Sequence, residues 1–135
     1  MFRRALAVAV AALGVAGCTS TGSSSSSSKF TGAQGDVAKV VSDLAQAGQR
    51  KDAQKICTQI LAPELVRQLT DAGTSCQTEM KKAIDDADDY DLSVQRVTVN
   101  GNQATAVVKR GTDGPTATFR FVRENGAWKA TSFGG

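Results

Sequence analysis

The spacing of apolar residues changes near residue 92, and this change constrains the fold more than any other feature of the chain. Before residue 92, apolar residues recur at intervals of three or four, as on one face of an amphipathic helix. After it they alternate with polar residues, as in strands that bury one face. Helices followed by strands are typical of the α+β class. We therefore predict N-terminal helices packed on a curved, four-stranded antiparallel sheet.

Four helices are predicted ahead of the sheet, each with an apolar stripe along one side. Asp36 caps or opens the first, the second begins at Lys51, the third begins at Pro63, and Thr74 or Ser75 caps the fourth. Gly48 is a C-terminal stop for the first helix, and the glycine at 73 ends the third. Cys57 and Cys76 both fall on the apolar stripes of their helices, which suits a covalent link between packed helices.

Four strands are predicted after the helices, over residues 92–99, 102–109, 116–123 and 127–133. The Asn-Gly pairs at 100–101 and 125–126 are typical of tight hairpin turns. In the first strand the apolar residues at 92 and 94 are out of phase with those at 97 and 99. We therefore expect a β-bulge near Gln95 or Arg96, which would restore the phase and curve the sheet.

The first eighteen residues have the pattern of an export signal. Arg3 and Arg4 precede an apolar run over residues 5–15, too short to span a bilayer as a permanent helix. The run leads into Val15-Ala16-Gly17-Cys18, which resembles the lipobox of bacterial lipoproteins. The resemblance implies cleavage before Cys18 and a lipid on its sulfur, which anchors the chain on the extracytoplasmic face of the cell membrane. The alternative is a plain secretory signal in which Cys18 is incidental.

Removal of residues 1–17 as a signal peptide leaves a tether and one domain. Residues 18–35 hold Cys18 and a run of serines, too poor in apolar groups to fold, with a span of roughly 20–24 Å. Residues 36–135 form the predicted domain. Because Arg3 and Arg4 leave with the signal, 14 basic residues face 13 acidic ones. With no sustained Lys/Arg run, we expect no nucleic-acid partner.

Cys57 and Cys76 are the two cysteines left once Cys18 is assigned to the lipid. An even pair in an exported chain favours a disulfide, which would stabilise the fold by roughly 3 kcal/mol. The chain has no histidine, and this argues against a Cys/His zinc site or a Cys nucleophile activated by a His base.

Several stretches resemble the NTF2-like (cystatin-like cone) superfamily, and in particular small lipoproteins of high-GC bacteria with that fold. They are residues 51–57, 61–65, 97–104 and 121–129, together with Cys76. The last of them has the family's order of strand, turn, Trp128 and a basic residue. The resemblance implies a sheet curved into a cone around a hollow that can hold a small molecule.

Candidate residues for that hollow are Phe119, Phe121, Trp128 and Tyr90, with core packing as the alternative. Enzymes of the superfamily place His/Asp or Tyr/Asp pairs in the hollow as general acid and base. Here a pair of Tyr90 with Asp43 is the one that can be imagined, and nothing in the sequence brings the two together. We predict no catalytic residues and no cofactor.

The densest charge cluster is acidic and precedes the first strand: Asp85, Asp86, Asp88, Asp89 and Asp91. Oxygen ligands of this kind suit a hard cation such as Ca²⁺. An EF-hand frame starting at Asp86, however, has Asp91 at the glycine position and Val97 at the glutamate position. We interpret the cluster as a solvated helix end and predict no metal site.

The predicted function is a non-catalytic binding or interaction module held at the membrane by Cys18. It would take a small hydrophobic ligand in the cone or a protein partner on the sheet. Exposed edge strands also favour a homodimer. The alternative function is a small-molecule enzyme of the isomerase or dehydratase kind, against which the missing histidine counts.

Overall fold

The order of helices and strands is the one that the apolar periodicity predicts. The computed structural model describes residues 29–87 and 90–134. Its elements are α1 (Gly32–Gln49), α2 (Ala53–Lys55), a π-helical segment (Ile56–Ile60), α3 (Pro63–Asp71), α4 (Cys76–Asp86), β1 (Leu92–Asn100), β2 (Gln103–Arg110), β3 (Thr116–Glu124) and β4 (Ala127–Ser132). The α+β prediction is confirmed. The predicted signal, Cys18, the serine run, Asp88 and Asp89 lie outside the described residues.

The strands form one antiparallel sheet in the order β1-β2-β3-β4. The β1–β2 register shifts between Val94 and Arg96, so the predicted bulge is confirmed. It turns Val94 and Val97 to the same buried face. At the last hairpin Asn125 and Gly126 have φ of 52° and 78°, the left-handed backbone that an Asn-Gly turn requires.

The core lies between α1 and the inner face of the sheet. β2 places Ala104, Ala106 and Val108 there, while β3 places Phe119 and Phe121. α1 packs on β1, β2 and β4 with Val37, Ala38 and Val41 buried. The small inner side chains of β2 leave room for α1, whose contacts are mainly with β1 at one edge and β4 at the other.

α1 begins at Gly32, four residues before the predicted start at Asp36. Residues 32–35, which the sequence assigns to the tether, are therefore helical. Gln34 Nε2 donates a hydrogen bond to the Val97 carbonyl at 3.2 Å, and Phe30 and Ala33 pack against the core. These contacts with a distant strand offset the poor helix propensity of Gly32 and Gly35.

Both edges of the sheet are in contact with the helical half. Leu61 makes a parallel bridge to Ala130 of β4, with the Ala62 amide 2.8 Å from the Ala130 carbonyl. Lys129 Nζ donates to the Gln59 carbonyl on the same side. Gln34 bonds to β1 at the opposite edge. These contacts occupy part of the edges that the predicted homodimer would use.

The sulfur atoms of Cys57 and Cys76 lie 2.02 Å apart, the distance of a disulfide bond, with their Cα atoms 6.0 Å apart. The link joins the π-helical segment to the first residue of α4. In that segment the Leu61 amide donates to the Ile56 carbonyl at 2.9 Å, one residue further than in an α-helix. The wide turn leaves Ile56 and Ile60 buried while Cys57 meets Cys76.

Candidate functional site

An open apolar hollow of about 240 Å³ lies between α1, α4 and the inner face of the sheet. Its walls come from the C-terminal half of α1, from one side of α4 and from the end of the sheet where β1 begins and β2 ends. The lining residues are Leu44, Ala45, Gly48, Ile56, Met80, Ala83, Ile84, Ala87, Tyr90, Leu92, Arg110, Phe119 and Phe133.

Small residues on the two helices create this space. Ala45 and Gly48 face it from α1, and Ala83 and Ala87 face it from the end of α4. A Cβ at Gly48 would lie 3.0 Å from Tyr90 Cδ1, closer than side-chain carbons normally pack. The absence of a Cβ at Gly48 therefore leaves room for the Tyr90 ring beside α1, where it forms one wall of the hollow.

Two aromatic rings close the sheet side of the hollow. Phe119 and Phe133 pack edge to face with ring centroids 5.2 Å apart. Arg110 lies beside them, with Cζ 6.0 Å from the Phe119 centroid and Nη2 donating to the Phe133 carbonyl at 3.1 Å. This hydrogen bond ties the end of the chain to the end of β2.

Titratable groups in the hollow are few. Among its described lining residues they are Tyr90 and Arg110, and no carboxylate is present. The Tyr90 hydroxyl donates to the Ile84 carbonyl, and Arg110 donates to Phe133. Both groups are thus bound to backbone oxygens.

The predicted lining residues divide into two groups. Phe119 and Tyr90 line the hollow. Phe121 and Trp128 are buried elsewhere on the inner face and are not among its lining residues. The Trp128 ring lies 4.7 Å from Arg123 Cζ, and its indole Nε1 is buried with no hydrogen-bond partner among the described atoms.

Sequence reasoning missed Met80, Arg110 and Phe133 as lining residues of the hollow. For Arg110 a signal was present, because it follows Ala104, Ala106 and Val108 on the inner phase of β2. A charged residue at an inner position marks the place where a core opens to solvent. Phe133 follows β4 directly, and only its approach to Phe119 reveals its role.

The imagined catalytic pair is not assembled. Asp43 is paired with Lys39 at 2.9 Å on α1, and it does not line the hollow that Tyr90 borders. Asp85, Asp86 and Asp91 are exposed. Within residues 29–87 and 90–134, no three Cys, Asp or Glu residues gather closely enough to hold a metal ion.

Comparison with known proteins adds no relative. No protein-family model, no curated protein and no solved structure matches this chain. In the part of the chain that the structure describes, none of the helices is both long and apolar enough to cross a membrane.

Removal of the Tyr90 hydroxyl tests how firmly this wall is held. We expect Tyr90→Phe to lower the free energy of unfolding by about 1 kcal/mol, the usual net value of one hydrogen bond. The Ile84 carbonyl keeps a second donor, the Ala87 amide at 3.3 Å, so no acceptor is left unpaired. Urea unfolding monitored by circular dichroism measures the change. A loss above about 3 kcal/mol would contradict this account of the hydroxyl.

Proposed function

We propose that this chain is a lipid-anchored protein of the extracytoplasmic membrane face whose domain binds a small apolar molecule without catalysis. The observation that carries the binding proposal is the hollow itself, an apolar space between helices and sheet that the protein's own side chains leave unfilled. The lipid anchor is inferred from the lipobox pattern ending at Cys18.

We further propose the NTF2-like cone as the fold. A helical block, a bulged four-stranded meander and a final strand with Trp128 are what the resemblance implies. Location also supports the proposal, because the hollow lies between the helices and the inner face of the curved sheet, where a cone would hold its ligand.

The size of the hollow limits the ligand. An apolar cavity of about 150 Å³ holds one benzene, or roughly 25 Å³ for each non-hydrogen atom. The hollow of about 240 Å³ therefore suits an apolar ligand of about ten non-hydrogen atoms. Drug-sized ligands occupy larger pockets of about 300–1,000 Å³.

The polar groups of the hollow favour binding over catalysis. General acid–base chemistry needs two groups that exchange protons near neutral pH. The Arg110 guanidinium has hydrogen-bond donors but no acceptor, and the Tyr90 hydroxyl donates to the Ile84 carbonyl. Neither group is placed as a base, which counts against the isomerase or dehydratase alternative.

A larger side chain placed in the hollow should weaken the binding of a ligand there. The sample is the mature chain, residues 18–135, with Cys18→Ser so that the protein carries no lipid and needs no detergent. We expect it to bind n-octanol and indole saturably in saturation-transfer NMR. Ala83→Leu places a larger side chain in the hollow and should weaken binding at least tenfold. The matched control Gln77→Leu lies on an exposed position of the same helix and should bind like the parent. Absence of saturable binding, or equal binding by Ala83→Leu, would refute the proposed site.

Mass spectrometry of the exported protein tests the proposed lipid anchor separately. When the chain is exported in a bacterium that processes lipoproteins, mass spectrometry should find a protein that begins at Cys18 and carries acyl chains. Cys18→Ser should abolish the acyl mass. An unmodified cysteine at this position would support the plain secretory signal instead.

A further inference from the structure

The two halves of the mature chain carry opposite net charge. Residues 18–91 contain 8 basic and 11 acidic residues, whereas residues 92–135 contain 6 basic and 2 acidic ones. The helical half is thus acidic and the sheet half basic, a separation that the near-neutral total conceals. Charge separated in this way orients a molecule in an external electric field.

Most of the basic residues of the sheet lie on its outer face, the face turned away from α1. This outer sheet face carries Arg96, Lys109 and Arg120, together with Lys129 at the β4 edge, whose ammonium donates to the Gln59 carbonyl; Glu124 is its acidic strand residue. The strand registers place them in rows across the sheet, Arg96 with Val107 and Thr118, and Arg120 with Thr105 and Thr98.

The outer sheet face is open to solvent. Arg96, Arg120, Thr98, Thr105 and Thr118 are all exposed, because α1 packs on the opposite, inner face of the sheet. In the part of the chain that the structure describes, neither Arg96 nor Arg120 forms an ion pair with a carboxylate. Glu64 of α3 and Glu124 line a depression of about 540 Å³ that also contains Arg120.

We propose that the outer sheet face docks the domain on a surface of anionic phospholipid. Basic residues near such a surface are attracted to its head groups, and hydroxyl groups of threonine can hydrogen-bond to phosphate oxygens. The inference rests on the proposed anchor at Cys18, because a short tether keeps the domain close to the lipid and makes a weak attraction effective. The acidic helical half then faces away from the membrane.

The composition of the outer sheet face favours lipid over a protein or nucleic-acid partner. Protein interfaces are centred on buried aromatic or other apolar anchors. The aromatic residues of the strands, Phe119, Phe121 and Trp128, are all on the inner face. For the same reason the outer face has no aromatic platform on which the bases of single-stranded nucleic acid stack.

Vesicle sedimentation tests the proposal. The mature chain with Cys18→Ser is mixed at low ionic strength with phosphatidylcholine vesicles, either pure or half phosphatidylglycerol. We expect binding to the anionic vesicles alone, and a decrease on addition of salt. Arg96→Gln/Arg120→Gln should weaken it roughly 25-fold, since each basic residue near an anionic surface contributes about fivefold.

Two controls separate a docking face from net charge. Arg96→Lys/Arg120→Lys keeps the charge and should keep the affinity. Lys81→Gln/Lys82→Gln also removes two positive charges, but from exposed positions of α4, and this variant should bind like the parent. No binding to anionic vesicles, or an equal loss in the α4 control, would overturn the proposal. So would a dimer in sedimentation analysis that the arginine variants dissociate, since that would make the face an interface between copies. Octanol binding in the same samples reports on the hollow separately.

Discussion

Phe119→Ala is expected to lower the free energy of unfolding by about 3–5 kcal/mol, the range for deletion of a buried aromatic ring. Phe119 is 2% exposed and is among the largest fully buried side chains of the described chain. It lies on the inner face of the sheet and packs edge to face against the Phe133 ring. Since domains of this size are stable by about 5–15 kcal/mol, the loss would be a large share of the total. Urea unfolding followed by circular dichroism measures it.

Thr118→Ala is the matched control for this variant. Thr118 precedes Phe119 on β3, but its side chain is exposed on the outer face. Such a surface change should stay within about 0.5 kcal/mol of the parent. If Phe119→Ala cost no more than Thr118→Ala, the inner face of β3 would not be the core that the structure describes.

Loss of the disulfide is the second large effect. We expect Cys57→Ala/Cys76→Ala to lower the free energy of unfolding by roughly 3 kcal/mol, because the 19-residue separation closes a sizeable loop in the unfolded chain. Cys76 is 6% exposed, so alanine is used rather than serine to avoid burying an unpaired hydroxyl. Chemical denaturation of the oxidised parent and of the double variant gives the difference.

Reduction of the parent protein provides the control. In a strong thiol-free reductant the parent should lose nearly the same stability, while the double variant should not respond. A reductant effect on the double variant would show that something other than the Cys57–Cys76 link is being changed. If the parent and double variant were equally stable under oxidising conditions, the disulfide would contribute nothing to this fold.

Phe119 and the Cys57–Cys76 disulfide also support the walls of the candidate site. Phe119 forms part of its sheet wall, and the disulfide fastens the first residue of α4, whose later turns form the opposite wall. We expect the apolar probes to lose affinity when either support is removed. The cause is that a hollow between two elements keeps its shape only while both are held in place.

The fold class followed directly from the residue pattern. The change of apolar period at residue 92 and the two Asn-Gly pairs are local signals, since each depends on backbone geometry over a few residues. The β1 bulge was also predictable. Two apolar residues out of phase on one strand can reach the same face only if an extra residue is inserted between them.

The start of α1 and the membership of the hollow were not predictable in this way. Gly32 and Gly35 have poor helix propensity, and the helix forms there because Gln34 meets the Val97 carbonyl, 63 residues away in the chain. The alternation of β3 predicts that Phe121 faces inward, but it does not show whether Phe121 borders the hollow. In the structure Phe133 lines the hollow and Phe121 does not. Which inward side chain meets open space depends on where the helices end.

By itself the sequence determined the α+β class and the antiparallel meander, and it predicted the pairing of Cys57 with Cys76 once the lipobox resemblance assigned Cys18 to a lipid. These depend on local periodicity, turn chemistry and cysteine count, and the structure agrees with each of them. Only the tertiary structure decided where the unfilled space lies and which face of the sheet stays open. Both depend on the packing of α1 and α4 against distant strands, because space and exposure are set by contacts between elements and not by the residues of any one element.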